Sequence, residues 1–136
     1  MSTLTIAAAQ SLSIAGDLSG NIVRHGHFIE KAAEQGVELL VFPELSLTGY
    51  EGQDAAALAI DPQDAVLRPL RDLARELGLT AVVGMPIRLE GSTSVLIGAL
   101  VLGADGSLGV YSKQHLHTGE DLVFAPGSGG PTTAES

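Results

Sequence analysis

The sequence predicts an α/β fold, because short apolar runs alternate with segments of helical periodicity over the first 85 residues. The apolar runs at residues 4–9, 39–42 and 80–85 fit interior strands of a sheet. A helical segment separates each run from the next, which is the order of a right-handed parallel crossover. We therefore expect helices to cover at least one face of the sheet.

Two helices are predicted between these strands. The first, at about residues 20–35, carries Gly26 among its apolar positions and ends at Gly36. The second, at residues 63–77, has leucine and alanine along one side, charged residues mostly along the other, and Gly78 at its end. Each glycine is typical of the position that follows the last helical turn.

The pattern changes after the third strand, which Pro86 is expected to terminate. Residues 93–102 predict a long apolar strand, and the Asp-Gly pair at residues 105–106 predicts a hairpin turn. Residues 108–112 then return as the antiparallel neighbour. The strands and two helices are expected to extend to about residue 116, and residues 117–136 are expected to form a loop and a tail.

Composition excludes several classes of protein. Hydrophobic residues make up 45% of the chain and charged residues 17%, which indicates an ordered domain. Sixteen acidic against seven basic residues give a net charge of −9, which disfavours nucleic acid and anionic membranes as partners. No apolar stretch approaches the ~20 residues that span a bilayer. With no cysteine and no basic region before the first apolar run, we expect a cytoplasmic protein without disulfides.

Glu44 is the first candidate for a catalytic group. It follows an apolar strand and Pro43, with further apolar residues behind it. Burial of a carboxylate is unfavourable unless the group is paired, and its pKa otherwise rises, which suits a general base. Ligands of parallel sheets lie beyond the carboxyl ends of the strands, where Glu44 falls. The alternative is a carboxylate that caps a neighbouring loop.

Three segments carry a resemblance to a known family. Phe-Pro-Glu-Leu-x-Leu-Thr-Gly-Tyr at residues 42–50 resembles the glutamate motif of the nitrilase superfamily, the carbon–nitrogen hydrolases. Tyr-Ser-Lys-Gln-His-Leu at residues 111–116 is similar to the lysine motif of that family. Gly119-Glu120, followed by Phe-Ala-Pro-Gly at residues 124–127, is similar to the segment with the accessory glutamate. The ordered matches extend over most of the chain.

The resemblance implies an α-β-β-α sandwich, of which residues 1–136 form only the N-terminal half. Half of this sandwich would leave an apolar sheet face uncovered. We therefore expect the chain to pair with its own missing C-terminal half or with another copy of itself. Enzymes of the family attack with a cysteine thiolate that follows the lysine motif, and this chain contains no cysteine. The resemblance thus predicts that the chain alone is inactive.

The resemblance also assigns roles to individual residues. Glu44 would be the general base, Lys113 would stabilise the oxyanion, and Glu120 would orient Lys113 or the hydrolytic water. Tyr50 would line the pocket for a small amide-like, nitrile or carbamoyl substrate. No cofactor is implied. The alternatives are a surface lysine at a strand end for Lys113, a solvated acidic turn with Asp121 for Glu120, and a packing role for Tyr50.

Two further motifs and the absence of cysteine suggest other functions. His115 and His117 have the spacing of two metal ligands on a strand, with Glu120 nearby, but His115 already belongs to the lysine motif and no metal is expected. Ser128 lies in a glycine-rich loop similar to that of the serine–lysine amidases, although the second serine of that pattern is absent. A non-catalytic fragment that serves as a binding or assembly module shares every motif and remains the alternative.

Overall fold

The computed structural model describes residues 4–49, 55–113 and 132–134, and they contain one six-stranded sheet in the order β1-β2-β3-β4-β5-β6. The elements are β1 (Ile6–Ala8), α1 (Leu18–Glu34), β2 (Leu39–Val41), α2 (Ala55–Leu58), α3 (Arg68–Leu77), β3 (Thr80–Ile87), β4 (Leu96–Leu102), β5 (Leu108–Ser112) and β6 (Thr132–Ala134). A short 3-10 turn, Ala65–Leu67, precedes α3.

The sheet has a parallel part and an antiparallel part. Strands β1, β2 and β3 are parallel neighbours, and a helical connection lies between each strand and the next. Strands β3 to β6 are antiparallel neighbours. The α/β class and the hairpin between β4 and β5 are thereby confirmed. Since β5 runs parallel to β2, the carboxyl ends of both strands lie at the same edge of the sheet.

The two predicted helices are present with shifted starts. Helix α1 begins two residues earlier than predicted, at a cap in which the Asp17 carboxylate accepts a hydrogen bond from Gly20 N at 3.3 Å. The second helix opens with the 3-10 turn, in which Asp64 accepts from Val66 N. It ends at Gly78, whose φ of 67° is the left-handed conformation that a β-carbon disfavours.

Helices α1 and α3 pack against each other and against one face of the sheet. Alternate residues of β3 and β4 point to this face, so their side chains are buried. These residues are Ala81, Val83, Met85 and Ile87 in β3, and Leu96, Leu100 and Leu102 in β4. The core thus lies on one side of the sheet.

The opposite face is apolar and only partly covered by the described residues. Its side chains include Ile6, Val41 and Tyr111, which are 59%, 36% and 46% exposed. The turn that follows β2 packs over one end of this face through Leu45, which contacts Ile97. The resemblance implies an uncovered apolar face, and the described residues leave this face partly open.

Pro86 lies within β3, so the prediction that it terminates the strand is wrong. In β3 the even-numbered residues direct their backbone groups toward β2, as the bonds from Phe42 N to Val82 O and from Leu47 N to Gly84 O show. Strand β2 has already ended at Val41, so no strand there requires a donor at position 86. Pro86 still accepts from Ile60 N at 3.2 Å.

Two further boundaries differ from the sequence analysis. The long strand predicted at residues 93–102 is shorter, since β4 begins at Leu96 after a turn closed by the bond from Ser92 N to Leu89 O. Residues 117–136 were assigned to loop and tail, whereas Thr132–Ala134 form β6. This strand pairs with residues 108–110 of β5, a non-local partner that local composition does not indicate.

Candidate active site

The turn that carries Glu44 crosses over β3 at Gly84. A β-carbon on Gly84 would lie 2.3 Å from Leu45 N and 2.9 Å from Pro43 O, so only glycine admits the turn. Leu47 N donates to Gly84 O at 2.9 Å and fixes the contact. As a result Glu44 lies over the partly open face of the sheet, close to the hairpin strands β4 and β5.

Leu45 holds the turn in an unusual backbone conformation. Its φ is 53°, the left-handed region that non-glycine residues rarely adopt. Its side chain is only 2% exposed and packs against Val95 and Ile97. Burial of a leucine contributes roughly 1.5–3 kcal/mol, which is comparable with the ~1–3 kcal/mol cost of such a conformation. Packing of Leu45 therefore compensates for the backbone that directs Glu44.

Lys113 approaches the Glu44 side chain from the end of β5. It directly follows Ser112, the last residue of that strand, and its backbone N donates to Ile97 O at 2.9 Å. Its Nζ lies 3.3 Å from Oε2 and 3.4 Å from Oε1 of Glu44. The two side chains singled out in the sequence are therefore in contact, although β3 and β4 separate the strands that carry them.

The Glu44–Lys113 pair is partly exposed. The side chain of Lys113 is 20% exposed and that of Glu44 is 42% exposed. Ion pairs at this degree of exposure contribute only about 0–1 kcal/mol to stability. The pair thus adds little to the folding free energy. Its significance therefore depends on where the two side chains lie on the surface and not on a contribution to stability.

A hollow of about 340 Å³ lies beside the pair. Glu44 and Lys113 form part of its wall, while its floor is the apolar sheet face, including Val82, Ala99 and Tyr111. An ammonium and a carboxylate at one end of an apolar hollow can stabilise a developing negative charge and transfer a proton. This combination suits reaction of a small polar group on a molecule with apolar parts.

A second hollow, of about 280 Å³, lies on the outer side of α3 and shares no lining residue with the first. Its lining carries charges of both signs, and two of its arginines make local contacts. Arg71 donates to Gly106 O at 3.2 Å, and Arg75 lies 3.9 Å from Asp72. These contacts give it the character of a solvated helix surface.

His25 is a residue that the sequence analysis missed. It is 1% exposed, and its ring stacks on Phe42 at a centroid distance of 4.1 Å. Its Nδ1 lies 2.7 Å from Asn21 O, and its Nε2 lies 2.9 Å from Ser46 Oγ. The available signal was helical spacing, since position 25 follows Asn21 by four residues and Ile22 by three, on the buried stripe of α1.

Burial of His25 predicts a pH-dependent stability. Burial is the main cause that lowers its pKa from 6.5 to about 4, the Arg24 charge lowers it further, and the bond to Asn21 O opposes both. The unfolded chain therefore binds more protons between these pH values. The contribution of neutral His25 to the free energy of unfolding should be fully present above pH 6.5. It should fall by about 3 kcal/mol as the pH approaches 4.

Urea unfolding at pH 7.5 and pH 4.5 measures this effect. His25→Gln should abolish this part of the pH dependence, whereas His27→Gln, which changes an exposed histidine on the same helix, should preserve it. An equal pH dependence in wild type and His25→Gln would contradict the assignment.

Several sequence predictions lie outside the described residues. Tyr50 and Glu120 are among them, as are His115, His117 and Ser128. Within residues 4–49, 55–113 and 132–134, no group of three or more histidine, cysteine, aspartate or glutamate side chains could hold a metal ion. The helices in this part of the chain are all too short or too polar to cross a membrane.

The comparisons with known proteins point to one family. The family model described as carbon-nitrogen hydrolase matches residues 5–135. A nitrilase from Pyrococcus abyssi is 36% identical over 104 residues, which are 73% of this chain and 38% of the relative. A glutamine-dependent NAD(+) synthetase from Thermotoga maritima is 30% identical over 133 residues, which are 93% of this chain and 23% of the relative.

Solved structures show the same architecture. A CN-hydrolase superfamily protein from Xanthomonas campestris, with an arsenic adduct in its active site, has a TM-score of 0.83 and 27% identity. The match covers 95% of this chain and 48% of that protein. An amidase from Nesterenkonia in complex with butyramide has a TM-score of 0.80 and 29% identity, with 93% and 49% covered. The chain spans about half the length of these proteins.

Proposed function

This chain belongs to the carbon–nitrogen hydrolase family, and from that we propose that it contributes the glutamate and lysine of a site that hydrolyses a non-peptide carbon–nitrogen bond. The substrate is a small molecule of the amide, nitrile or carbamoyl type. The cysteine nucleophile is supplied from outside these 136 residues, which contain none. The observation that carries the proposal is the 3.3 Å contact between Lys113 Nζ and Glu44 Oε2 beside an apolar hollow.

In the proposed reaction Glu44 acts as the general base. Its carboxylate accepts the proton of the cysteine thiol as sulfur attacks the carbonyl carbon of an amide. The carboxylic acid then gives this proton to the departing nitrogen, because ammonia and amines leave poorly unless they are protonated. A positioned acid–base group contributes roughly 10²–10⁴-fold in rate.

Lys113 stabilises the charge that develops during this attack. The carbonyl oxygen becomes an oxyanion in the tetrahedral intermediate, and a preorganised ammonium beside it lowers the barrier. The effect reaches several kcal/mol only where water is excluded, so it requires that the partly open hollow be covered. The contact with Glu44 holds Nζ beside the hollow that both residues line. Collapse of the intermediate breaks the carbon–nitrogen bond and leaves a thioester, which water hydrolyses to the acid and the free thiol.

Glu120 and Tyr50 complete the proposed site. Both roles rest on the sequence motifs, in which Glu120 orients Lys113 or the hydrolytic water and Tyr50 lines the substrate pocket. The similar proteins include a nitrilase, an amidase and a cyanide hydratase, which supports a substrate with a carbon–nitrogen bond. The absence of cysteine fits the reducing cytoplasm as its compartment.

A binding or assembly module is the second candidate function. Two observations favour it: the 136 residues contain no cysteine, and an apolar sheet face is partly open. Such a face is covered when the chain pairs with its C-terminal half or with another copy of itself. The reading frame beyond Ser136 discriminates the two functions, since a strand that ends in cysteine favours the enzyme and a stop codon favours the module.

The purified 136-residue chain tests where the nucleophile comes from. We expect no more than residual ammonia release from a panel of small amides and nitriles, because a carboxylate and an ammonium alone form no thioester. An intact amidase, such as the Nesterenkonia protein, is the positive control. Turnover by the chain alone at ordinary enzymatic rates, about 1–10³ s⁻¹, would contradict the proposal.

A further inference from the structure

We propose that His25 and Ser46 are positioning residues for Glu44, joined in a series of hydrogen bonds that fixes the turn of residues 43–48 on β3. The inference rests on the proposed function, since it assigns a purpose to the placement of Glu44. His25 lies outside the motifs that identified the site, and Ser46 occupies the unspecified position of the glutamate motif at residues 42–50. Both are 1% exposed, so they act through the turn and not on a substrate.

The first step of the series is the tautomer of His25. Its Nδ1 lies 2.7 Å from Asn21 O, and a carbonyl oxygen can only accept a hydrogen bond. Nδ1 therefore carries the proton, and Nε2 presents a lone pair. The stacked ring of Phe42 restricts the orientation of the imidazole, with an interplanar angle of 17°.

The second step is the hydroxyl of Ser46. Its Oγ lies 2.9 Å from His25 Nε2, so the hydroxyl donates a hydrogen bond to the lone pair of that nitrogen. The same oxygen accepts from Gly84 N at 3.1 Å. Each hydrogen bond thus has one donor and one acceptor, and the series joins helix α1 to the turn and the turn to β3. A buried network in which every group is satisfied specifies a single geometry.

The third step is the effect of this series on Glu44. Glu44 lies two residues before Ser46, and Leu45 between them has the left-handed φ of 53°. A backbone in this conformation persists only when its surroundings fix it. Ser46 fixes it through Oγ, and Leu47 N fixes it through the 2.9 Å bond to Gly84 O. Without the Ser46 hydroxyl the turn can relax, and the Glu44 carboxylate then leaves Lys113.

A purely structural role would require only the size and apolar contacts of His25. Phenylalanine would preserve the stacking on Phe42 and remove both hydrogen bonds. Glutamine would lose the ring but place an amide oxygen near the position of Nε2, where it can accept from Ser46. The two replacements therefore separate packing from hydrogen bonding at the same position.

The experiment compares Ser46→Ala, His25→Phe and His25→Gln by NMR in the 136-residue chain. A matched control is Thr48→Val, which removes a buried hydroxyl of the same turn that donates to Gly49 O and, among the described residues, takes no part in the series of His25 and Ser46. The readouts are the nuclear Overhauser cross-peak between Glu44 Hγ and Lys113 Hε and the amide exchange rate of Gly84. All spectra are recorded where circular dichroism shows the variant to be folded.

We expect Ser46→Ala and His25→Phe to lose the cross-peak and to exchange the Gly84 amide about tenfold faster. His25→Gln and Thr48→Val should retain the cross-peak. Retention in Ser46→Ala, or loss in Thr48→Val as well, would overturn the proposal, and so would loss in His25→Gln. If His25→Phe does not fold, the presence or absence of the cross-peak in Ser46→Ala decides whether the proposal holds.

These readouts do not depend on catalysis. A complete protein that fails to hydrolyse amides and nitriles would refute the proposed function but leave the cross-peaks unchanged. Retention of the cross-peak in Ser46→Ala would refute only the positioning role. The two failures are therefore distinguishable.

Discussion

Replacement of Gly84 by alanine should destabilise the chain by about 3 kcal/mol or more and detach the turn that carries Glu44. The added β-carbon would lie 2.3 Å from Leu45 N and 2.9 Å from Ser46 N, which are backbone atoms without a rotamer to change. Overpacking typically costs about 1–3 kcal/mol even when side chains can adjust. Urea unfolding measures the loss, and the cross-peak between Glu44 and Lys113 should disappear.

Gly26→Ala is the matched control. A β-carbon there would meet Leu73 Cδ2 at 3.7 Å and Leu70 Cδ2 at 4.0 Å, which are ordinary contacts. Alanine is also favoured over glycine in a helix by about 0.5–1 kcal/mol. This variant should therefore be as stable as wild type or slightly more stable. A free energy of unfolding for Gly84→Ala within 1 kcal/mol of wild type would show that the turn does not depend on close approach to β3.

Replacement of Glu44 by glutamine should lower kcat by about 10²–10⁴-fold in the polypeptide encoded by the complete reading frame. The amide preserves the shape of the side chain but cannot accept the thiol proton. Steady-state ammonia release with a small amide measures kcat and KM separately. Folding should change little, because the partly exposed pair with Lys113 contributes only about 0–1 kcal/mol.

Glu38→Gln controls for the charge change, since Glu38 is an exposed glutamate just before β2. It should leave kcat unchanged. If Glu44→Gln retained more than a tenth of the wild-type kcat, or if its whole effect were on KM, Glu44 would contribute to binding and not to proton transfer.

Much of the fold follows from local pattern. The two helices have clear periodicity and glycines at their ends, and the Asp-Gly turn specifies the hairpin of β4 and β5. The predictions that Pro86 ends β3 and that residues 117–136 form only loop and tail were wrong. In each case the structure depends on a neighbouring strand that is remote in sequence. Proline is tolerated where the adjacent strand has already ended, and residues 132–134 become a strand only beside β5. The composition of a short segment indicates neither where the neighbouring strand ends nor which strand lies beside it.

The sequence motifs single out Glu44 and Lys113 of the candidate site, but they do not indicate the residues that hold the turn of Glu44 in place. Glu44 and Lys113 belong to recognisable motifs, and their contact agrees with the expectation that they converge. The roles of His25 and Gly84 are invisible in the sequence, because a buried histidine and a glycine inside a strand are common for reasons of packing alone. The left-handed Leu45 is equally hidden, since leucine has no preference for that conformation.

The separation of Glu44 and Lys113 in sequence affects the stage of folding at which the two side chains can meet. Glu44 and Lys113 are 69 residues apart, so their encounter closes one of the larger loops in the described chain. Contacts between residues that are far apart in sequence form slowly, because the loop between them must close first. We therefore expect the contact between Glu44 and Lys113 to form only after β3, β4 and β5 have paired. A nascent or partly unfolded chain therefore holds the Glu44 carboxylate and the Lys113 ammonium apart until these strands have assembled.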